Sequence, residues 1–332
     1  MSGRNRSGSL IILFILYCLT CFSPAAFAED VFEPVKQRLI GEGFSREAVT
    51  MAYSPAPNPM YETVARTFII RESKLNYDQF LDAASIARAR KFMAANARTL
   101  ARAEAVHKVD RNVITAILLV ETQFGSYTGK TPVLDIFSTF ALMDQKAYKD
   151  KIWLMLSPET RDRWSREEFD AKLDKRAAWA YDELHALFRL AQKWGVRPEA
   201  LKGSVMGAVG WPQFLPSSLV NFGDDGNSDG AVNLYEPEDA IFSVANYFRG
   251  HGWLEARDRA AKEQVVWAYN HSTPYIKTVL AIADKLSEPA PPEIKSSPKP
   301  VKESPKTPKP APKAVKEAPK SVKDKRSSQS AR

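Results

Sequence analysis

The sequence predicts a mainly α-helical protein, on three observations. Strong helix formers run from Ala83 to Val109, and apolar residues recur at near-helical spacing further on. No long alternation of apolar and polar residues marks a strand. Glycine and proline gather in a few places, near Pro55-Ala56-Pro57-Asn58-Pro59, from Gly125 to Pro132 and from Gly203 to Gly230, where loops would carry a site.

Residues 1–28 read as a secretory signal. Arg4 and Arg6 form a basic start, Leu10 to Phe22 an apolar stretch, and Ala26-Phe27-Ala28 a cleavage site. The mature chain is expected to begin at Glu29 and to work in the periplasm. An uncleaved anchor is the alternative, but the apolar stretch is short for a spanning helix. Both cysteines, Cys18 and Cys21, lie in the signal, and neither follows the small residue a lipid-modified cysteine needs. The mature chain then has no disulfide, no thiolate nucleophile and no cysteine-held zinc.

Ala83 to Val109 reads as helix, and Arg111 to Glu121 as a buried one. Arg176 to Trp194 carries Trp179, Leu184, Leu187, Phe188 and Leu190 at helical spacing, with Gly195 as its stop. Glu238 to Phe248 and Val265 to Leu286 complete the series. Residues 29–287 thus read as one catalytic-size domain. Residues 288–332 form a Lys/Pro-rich tail without aromatic residues, unable to bury a core and expected to be disordered.

The net charge of +8 is misleading. The tail holds 12 Lys/Arg against 5 Asp/Glu, and residues 29–287 hold 33 against 34. The body is nearly neutral and lacks the basic stripe of a nucleic-acid binder. The tail reads as a solvated spacer or as a contact for anionic envelope polymers or envelope proteins.

Glu121 closes the apolar run Val113-Ile114-Thr115-Ala116-Ile117-Leu118-Leu119-Val120. A carboxyl at the end of such a helix resists ionisation, because burial disfavours the charged form. It is a candidate general acid for glycosidic bond cleavage. The plain alternative is a helix-end Glu paired with Arg or Lys.

The segment Gly203 to Ser218 combines three glycines with Ser204, Trp211, Gln213 and Phe214. Its aromatic faces suit sugar rings, and its polar groups could orient them. The segment Asp225-Gly226-Asn227-Ser228-Asp229-Gly230-Ala231 through Glu236 fits the calcium-loop pattern. Asp225, Asn227, Asp229, the Ala231 carbonyl and Glu236 would supply oxygen ligands, with Asp239 as an alternative last one. Such an ion would brace the loop; the chemistry itself calls for no cofactor. The histidines His107, His185, His251 and His271 form no metal spacing, and no serine elbow or phosphate loop is present.

Taken in order, these strings resemble the lytic murein transglycosylase B family of the lysozyme-like superfamily, from about Phe68 to Leu286. The strongest parts are Val120 to Gly125 with Gly129 to Asp135, Gly207 to Ser218, Asn233 to Ile241, Ser243 to Phe248 with His251-Gly252-Trp253, and Tyr269 to Ser272. The resemblance implies a bilobal, mainly α lysozyme-like fold with a substrate cleft and small irregular or β elements. It implies action on peptidoglycan glycan strands, cutting the β-1,4 bond between N-acetylmuramic acid and N-acetylglucosamine, and the chain is expected to be a monomer.

Glu121 falls on the family's single catalytic Glu. Ser204, Gln213, Phe214, Tyr247, Tyr269 and Asn270 fall on its saccharide positions, and Asp225, Asn227, Asp229, Ala231 and Asp239 on its calcium loop. Where members carry an Arg-Arg pair followed by Tyr, this chain has Lys175-Arg176 and Trp179, keeping a ring without its hydroxyl. Gly210-Trp211-Pro212 replaces the usual Gly-Tyr-Gly. The implied mechanism is closure of a 1,6-anhydro product with Glu121 as acid and then base. A hydrolytic muramidase with Asp135 or Asp144 as second carboxylate is the alternative enzyme, and a non-catalytic peptidoglycan-binding protein the alternative of another class.

Overall fold

The helices follow from where the chain can bury apolar surface. The computed structural model describes residues 30–69 and 76–289; the expected signal and most of the expected tail lie outside them. Helices α1 (Glu33–Gly41), α2 (Arg46–Ala52) and α3 (Tyr61–Arg66) open the body. Next come α4 (Ala83–Ala95), α5 (Ala97–His107), α6 (Arg111–Thr122), α7 (Val133–Ala141), α8 (Lys146–Met155) and α9 (Pro158–Arg161). The long α10 (Arg166–Trp194), α11 (Pro216–Phe222), α12 (Pro237–Gly250), α13 (Arg259–Tyr269) and α14 (Thr273–Ser287) complete it. The described part of the chain through Pro289 forms one compact unit.

Two expected helices are each split in the structure. The run from Ala83 breaks at Asn96, which caps the end of α4 through its amide on the Phe92 carbonyl at 3.0 Å. The run from Val265 breaks at Asn270-His271-Ser272, where Ser272 caps α14 and Pro274 occupies its first turn. Conversely, α10 begins ten residues before the expected Arg176, because Ser165 and Glu168 form a capping box.

Helix α6 is the axis of the site. From Val113 to Val120 every side chain is buried. Helix α14 lies along it, with α4, α5 and α12 around it. Water is therefore excluded from about two of its turns, and the helix opens outward at its ends, where Arg111 and Asn112 at the start and Glu121 at the finish are half-buried. The β structure is minimal: β1 (Thr131–Pro132) pairs antiparallel with β2 (Lys202–Gly203), Thr131 opposite Gly203. Bridges from Val209 to Gly203 and to Phe214 fold the glycine-rich segment back on itself. This seam fastens the loop that follows Glu121 to the segment carrying Ser204, Gln213 and Phe214.

Candidate active site

Glu121 occupies the last turn of α6. The chain then turns sharply through three successive residues at positive φ: Gln123 (49°), Phe124 (61°) and Gly125 (77°). Two of these are not glycine, so the turn is strained and must be held from outside. The Phe124 ring stacks on Phe92 at 4.1 Å, and Arg88 donates to the Gln123 amide oxygen. The Thr122 hydroxyl donates to the Trp211 carbonyl at 2.8 Å and accepts the Gly125 N–H at 3.0 Å. These contacts fix the direction in which Glu121 leaves the helix.

The Glu121 carboxyl is half-buried and faces a cavity of about 250 Å³. Asn76, Tyr77, Gln79, Phe80, Val120, Asn270 and Tyr275 line the rest of it. Burial pushes the Glu121 carboxyl up to about 7, and the hydrogen bond from Tyr275 opposes that rise. No cation pairs with Glu121 among the described residues, which removes the reading of a helix-end salt bridge. Of the described lining residues it is the only carboxylate. Asp135 accepts the Asn58 N–H at 3.0 Å, away from that lining, and Asp144 is absent from it too.

Tyr275 is the residue that sequence reasoning passed over. Its hydroxyl donates to Glu121 Oε1 at 2.5 Å. Burial and the neighbouring Glu121 hold its own pKa well above the ordinary tyrosine value, so it remains a donor. The bond leaves Oε2 as the oxygen free to hold a transferable proton. The usable signal was the capped start of α14: Tyr275 sits three residues past Ser272, in the first turn of that helix. Tyr275→Phe should raise the Glu121 pKa, because the ionised form loses a donor. The alkaline limb of the rate profile should then move to higher pH, and an unmoved limb would show that the bond does not reach the acid.

The expected saccharide residues divide into rim and support. Asn270, at the end of α13, lines the cavity beside Glu121. Ser204 accepts the N–H groups of Met206 (3.3 Å) and Ala208 (3.1 Å), which leaves its own proton to donate. Gln213 stands at φ 52° and donates to the carbonyls of Gly210 (2.9 Å) and Thr128 (3.3 Å), joining the glycine-rich segment to the loop after Glu121. Phe214 is only 2% exposed and offers no free face. It backs Tyr247 and Tyr269 at ring distances of 5.5 and 6.0 Å. The Tyr247 hydroxyl donates to the Ala268 carbonyl at 2.7 Å, and the Tyr269 hydroxyl to the Pro212 carbonyl. Tyr269 also stacks nearly parallel to Tyr275, with planes 9° apart. These rings form an aromatic wall behind the acid, tilted and edge-on except for the stacked Tyr269–Tyr275 pair. Trp211, expected to present a face, is half-buried, and a Cβ at Gly125 would lie 2.1 Å from its indole nitrogen.

Arg176 and Trp179 lie elsewhere on α10. Arg176 donates to the Thr67 hydroxyl at 2.7 Å and covers the Phe68 ring. Trp179 meets Phe137 and Phe140 edge-on. Neither is among the residues lining the Glu121 cavity.

The acidic loop is closed by its own amides. Asp225 accepts N–H groups from Ser228 (2.7 Å), Asp229 (3.1 Å) and Gly230 (2.8 Å), and Asp229 accepts from Ala231 (2.9 Å). Gly230 stands at φ 92°, as the turn requires. Asp239, offered as a last ligand, is fully buried and spends both oxygens on the loop, on Gly226 (2.9 Å) and Asn233 (2.7 Å). It braces the loop from inside. The Asn227 amide NH₂ lies 3.0 Å from Asp229 Oδ2 and 3.3 Å from Glu236 Oε2, the place of a positive partner. No Lys or Arg pairs with Asp225, Asp229 or Glu236 among the described residues. This oxygen set fits a calcium ion in donor type and order. Among the described residues, acidic, His and Cys side chains alone make no group able to hold a metal, so Asn227 and the Ala231 carbonyl would have to complete it.

A family model described as transglycosylase SLT domain matches residues 27–265. The membrane-bound lytic murein transglycosylase B of Escherichia coli (strain K12) is 34% identical over 156 residues, which is 47% of this chain and 35% of that protein. The chain therefore matches about a third of that relative's length. The soluble lytic transglycosylase SltB1 from Pseudomonas aeruginosa superposes with a TM-score of 0.60 at 25% identity, covering 77% of this chain and 97% of that one. The Escherichia coli lytic transglycosylase Slt35, in a complex with calcium, superposes with a TM-score of 0.59 at 22% identity, covering 79% and 96%. These superpositions bear out the expected mainly helical, lysozyme-like fold. The family model spans most of the sequence, and the chain belongs to the transglycosylase SLT domain family.

Proposed function

We propose that this protein is a lytic murein transglycosylase that cleaves the β-1,4 bond between N-acetylmuramic acid and N-acetylglucosamine. The reading rests above all on Glu121, a half-buried carboxyl with a pKa of about 7 and no second carboxylate among the described residues of its cavity. A two-carboxylate glycosidase uses its second group as nucleophile or as base for water. Here one group takes both parts.

Glu121 Oε2 gives its proton to the glycosidic oxygen as the bond to the anomeric carbon breaks. The N-acetylglucosamine portion leaves with that proton. Positive charge develops on the muramoyl anomeric carbon, next to a carboxylate that Tyr275 holds in place. The muramoyl 6-hydroxyl then attacks that carbon, and its proton returns to Glu121. The product is a 1,6-anhydro ring, water is not consumed, and Glu121 is restored to its starting state. Closure within one sugar gains from proximity. Ser204 and Asn270 would orient the substrate, the wall of Tyr247, Tyr269 and Phe214 would shape the space for it, and Arg176 and Trp179 would contact more distant parts of the strand.

Mass spectrometry of fragments released from purified sacculi tests the reading. Anhydro ends are expected; reducing ends would assign the protein to the hydrolytic muramidases, and no release would make it a binding protein.

We further propose that the catalytic unit spans residues 29–287, after removal of a signal, and works in the periplasm as a monomer. The tail from 288 would contact anionic envelope polymers or envelope proteins. No described helix is long and apolar enough to cross a membrane.

Calcium would bind Asp225, Asn227, Asp229, Ala231 and Glu236 and brace the loop, without entering the reaction. Binding to the native state alone adds about 2.7 kcal/mol at a hundredfold excess over Kd. Calcium should therefore raise the melting temperature, and the double variant Asp225→Ala, Asp229→Ala should lose the rise. An unmodified chain whose melting point ignores millimolar calcium would refute the site.

A further inference from the structure

The cavity at Glu121 is too small for a polymer. Its volume of about 250 Å³ falls below the roughly 300–1,000 Å³ of ordinary ligand pockets, so a strand must continue along neighbouring surface. On the α13 side, that surface begins at Asn270.

Trp267 stands three residues before Asn270. It is 41% exposed, and the other six tryptophans are all buried or half-buried. On α13 the preceding Val265 and Val266 face the core, and two residues on Tyr269 faces the aromatic wall. A separation of two on a helix turns Trp267 to the opposite side, away from that wall. A single exposed apolar side chain is common and by itself assigns nothing. Its neighbour changes the reading. The exposed His271 ring lies 5.2 Å from the indole, its plane tilted by 47°. The pair thus offers an apolar face set against a polar edge.

The backbone beneath them is fixed. The Tyr247 hydroxyl holds the Ala268 carbonyl at 2.7 Å. Ser272 donates its N–H to the Asn270 carbonyl at 2.7 Å, and its side chain caps α14. The ring pair and the cavity-lining Asn270 therefore belong to one short stretch of chain, residues 267–272.

We infer that Trp267 and His271 form an outlying saccharide subsite, taking one N-acetylhexosamine ring of the strand beyond those at Glu121. The inference rests on the proposed glycan substrate. The C–H face of a pyranose would lie on the indole, and the imidazole would hydrogen-bond a hydroxyl or the N-acetyl carbonyl. The subsite binds; it takes no part in bond cleavage. It favours long strands over short fragments.

The test titrates β-1,4-linked N-acetylglucosamine oligomers of two and six sugars into full-length protein carrying Glu121→Gln, which spares the ligand. Adding Trp267→Ala should weaken the six-sugar oligomer about tenfold, the upper end for one aromatic contact, and leave the two-sugar oligomer unchanged. Trp267→Tyr should restore most of the loss. Equal six-sugar affinity with and without Trp267, in variants of unchanged circular dichroism, would overturn the subsite and leave the glycan cleft standing. If the Glu121→Gln protein with Trp267 intact binds neither oligomer, the glycan cleft falls and takes the subsite with it.

Discussion

Replacing Glu121 with glutamine is expected to slow glycan cleavage by at least ~100-fold, the low end for loss of a general acid–base group. Glutamine keeps the size of the side chain and still accepts the Tyr275 hydroxyl, so the fold should persist. It can neither give nor retake a proton. The same variant should be more stable than the parent at alkaline pH. The carboxyl titrates near 7 in the folded state, against an ordinary value of 4.5. The folded protein therefore binds this proton more tightly than the unfolded chain. Stability is full below about pH 4.5 and declines as pH rises through 7. Glutamine removes that decline. The gain should be absent at pH 4 and reach roughly 1–3 kcal/mol at pH 8, less than the full shift because the group is partly solvated. Thermal melts of both proteins at the two pH values check it. An equal difference at both would show that Glu121 ionises as freely folded as unfolded.

The second large effect is structural. Gly129→Ala should cost about 3 kcal/mol or more. The residue stands at φ 89°, where an L side chain loses about 1–2 kcal/mol. A Cβ there would also lie 2.0 Å from the Gly203 carbonyl oxygen, a backbone atom that cannot rotate aside. Overpacking of this kind adds about 1–3 kcal/mol. The melting point should fall by roughly 10 °C for a body of this size. Gly195→Ala is the matched control: φ is 65°, and nothing lies within 4 Å of its Cβ, so only the backbone term remains. Equal losses in the two variants would refute the clash. Activity should fall with stability at Gly129, because Thr128 beside it receives the Gln213 amide.

Helix α6 was legible because its signal is local: an unbroken apolar run with a carboxyl at its end. The same run gave the elevated pKa of Glu121 in direction. The breaks at Asn96 and at Asn270 to Ser272 were not visible, since helix formers on both sides hide a cap until tertiary packing decides where the chain turns. The saccharide motifs marked segments but not the orientation of each ring. Phe214 and Tyr247 both read as cleft aromatics, yet one is a buried support and the other spends its hydroxyl on Ala268. Which face of an aromatic is covered depends on partners more than twenty residues away, as with Phe214 and Tyr247. Tyr275 escaped for the same reason. Its bond to Glu121 joins residues 154 apart in sequence.

The left-handed turn at Gln123 has an electrical consequence. By ending α6 directly after Glu121 and Thr122, it leaves the acid at the negative pole of its own helix. Acidic side chains are stabilised at the opposite pole, where free N–H groups gather. The N–H groups of Gln123 and Phe124 cap the carbonyls of Leu119 and Leu118, and the remaining terminal carbonyls keep the region negative. A protonated Glu121 feels little of this. An ionised one is repelled by it, so the state left after the first half of the reaction is the one the helix opposes. The backbone that ends the helix thereby favours return of the proton from the sugar and resets the acid for the next bond.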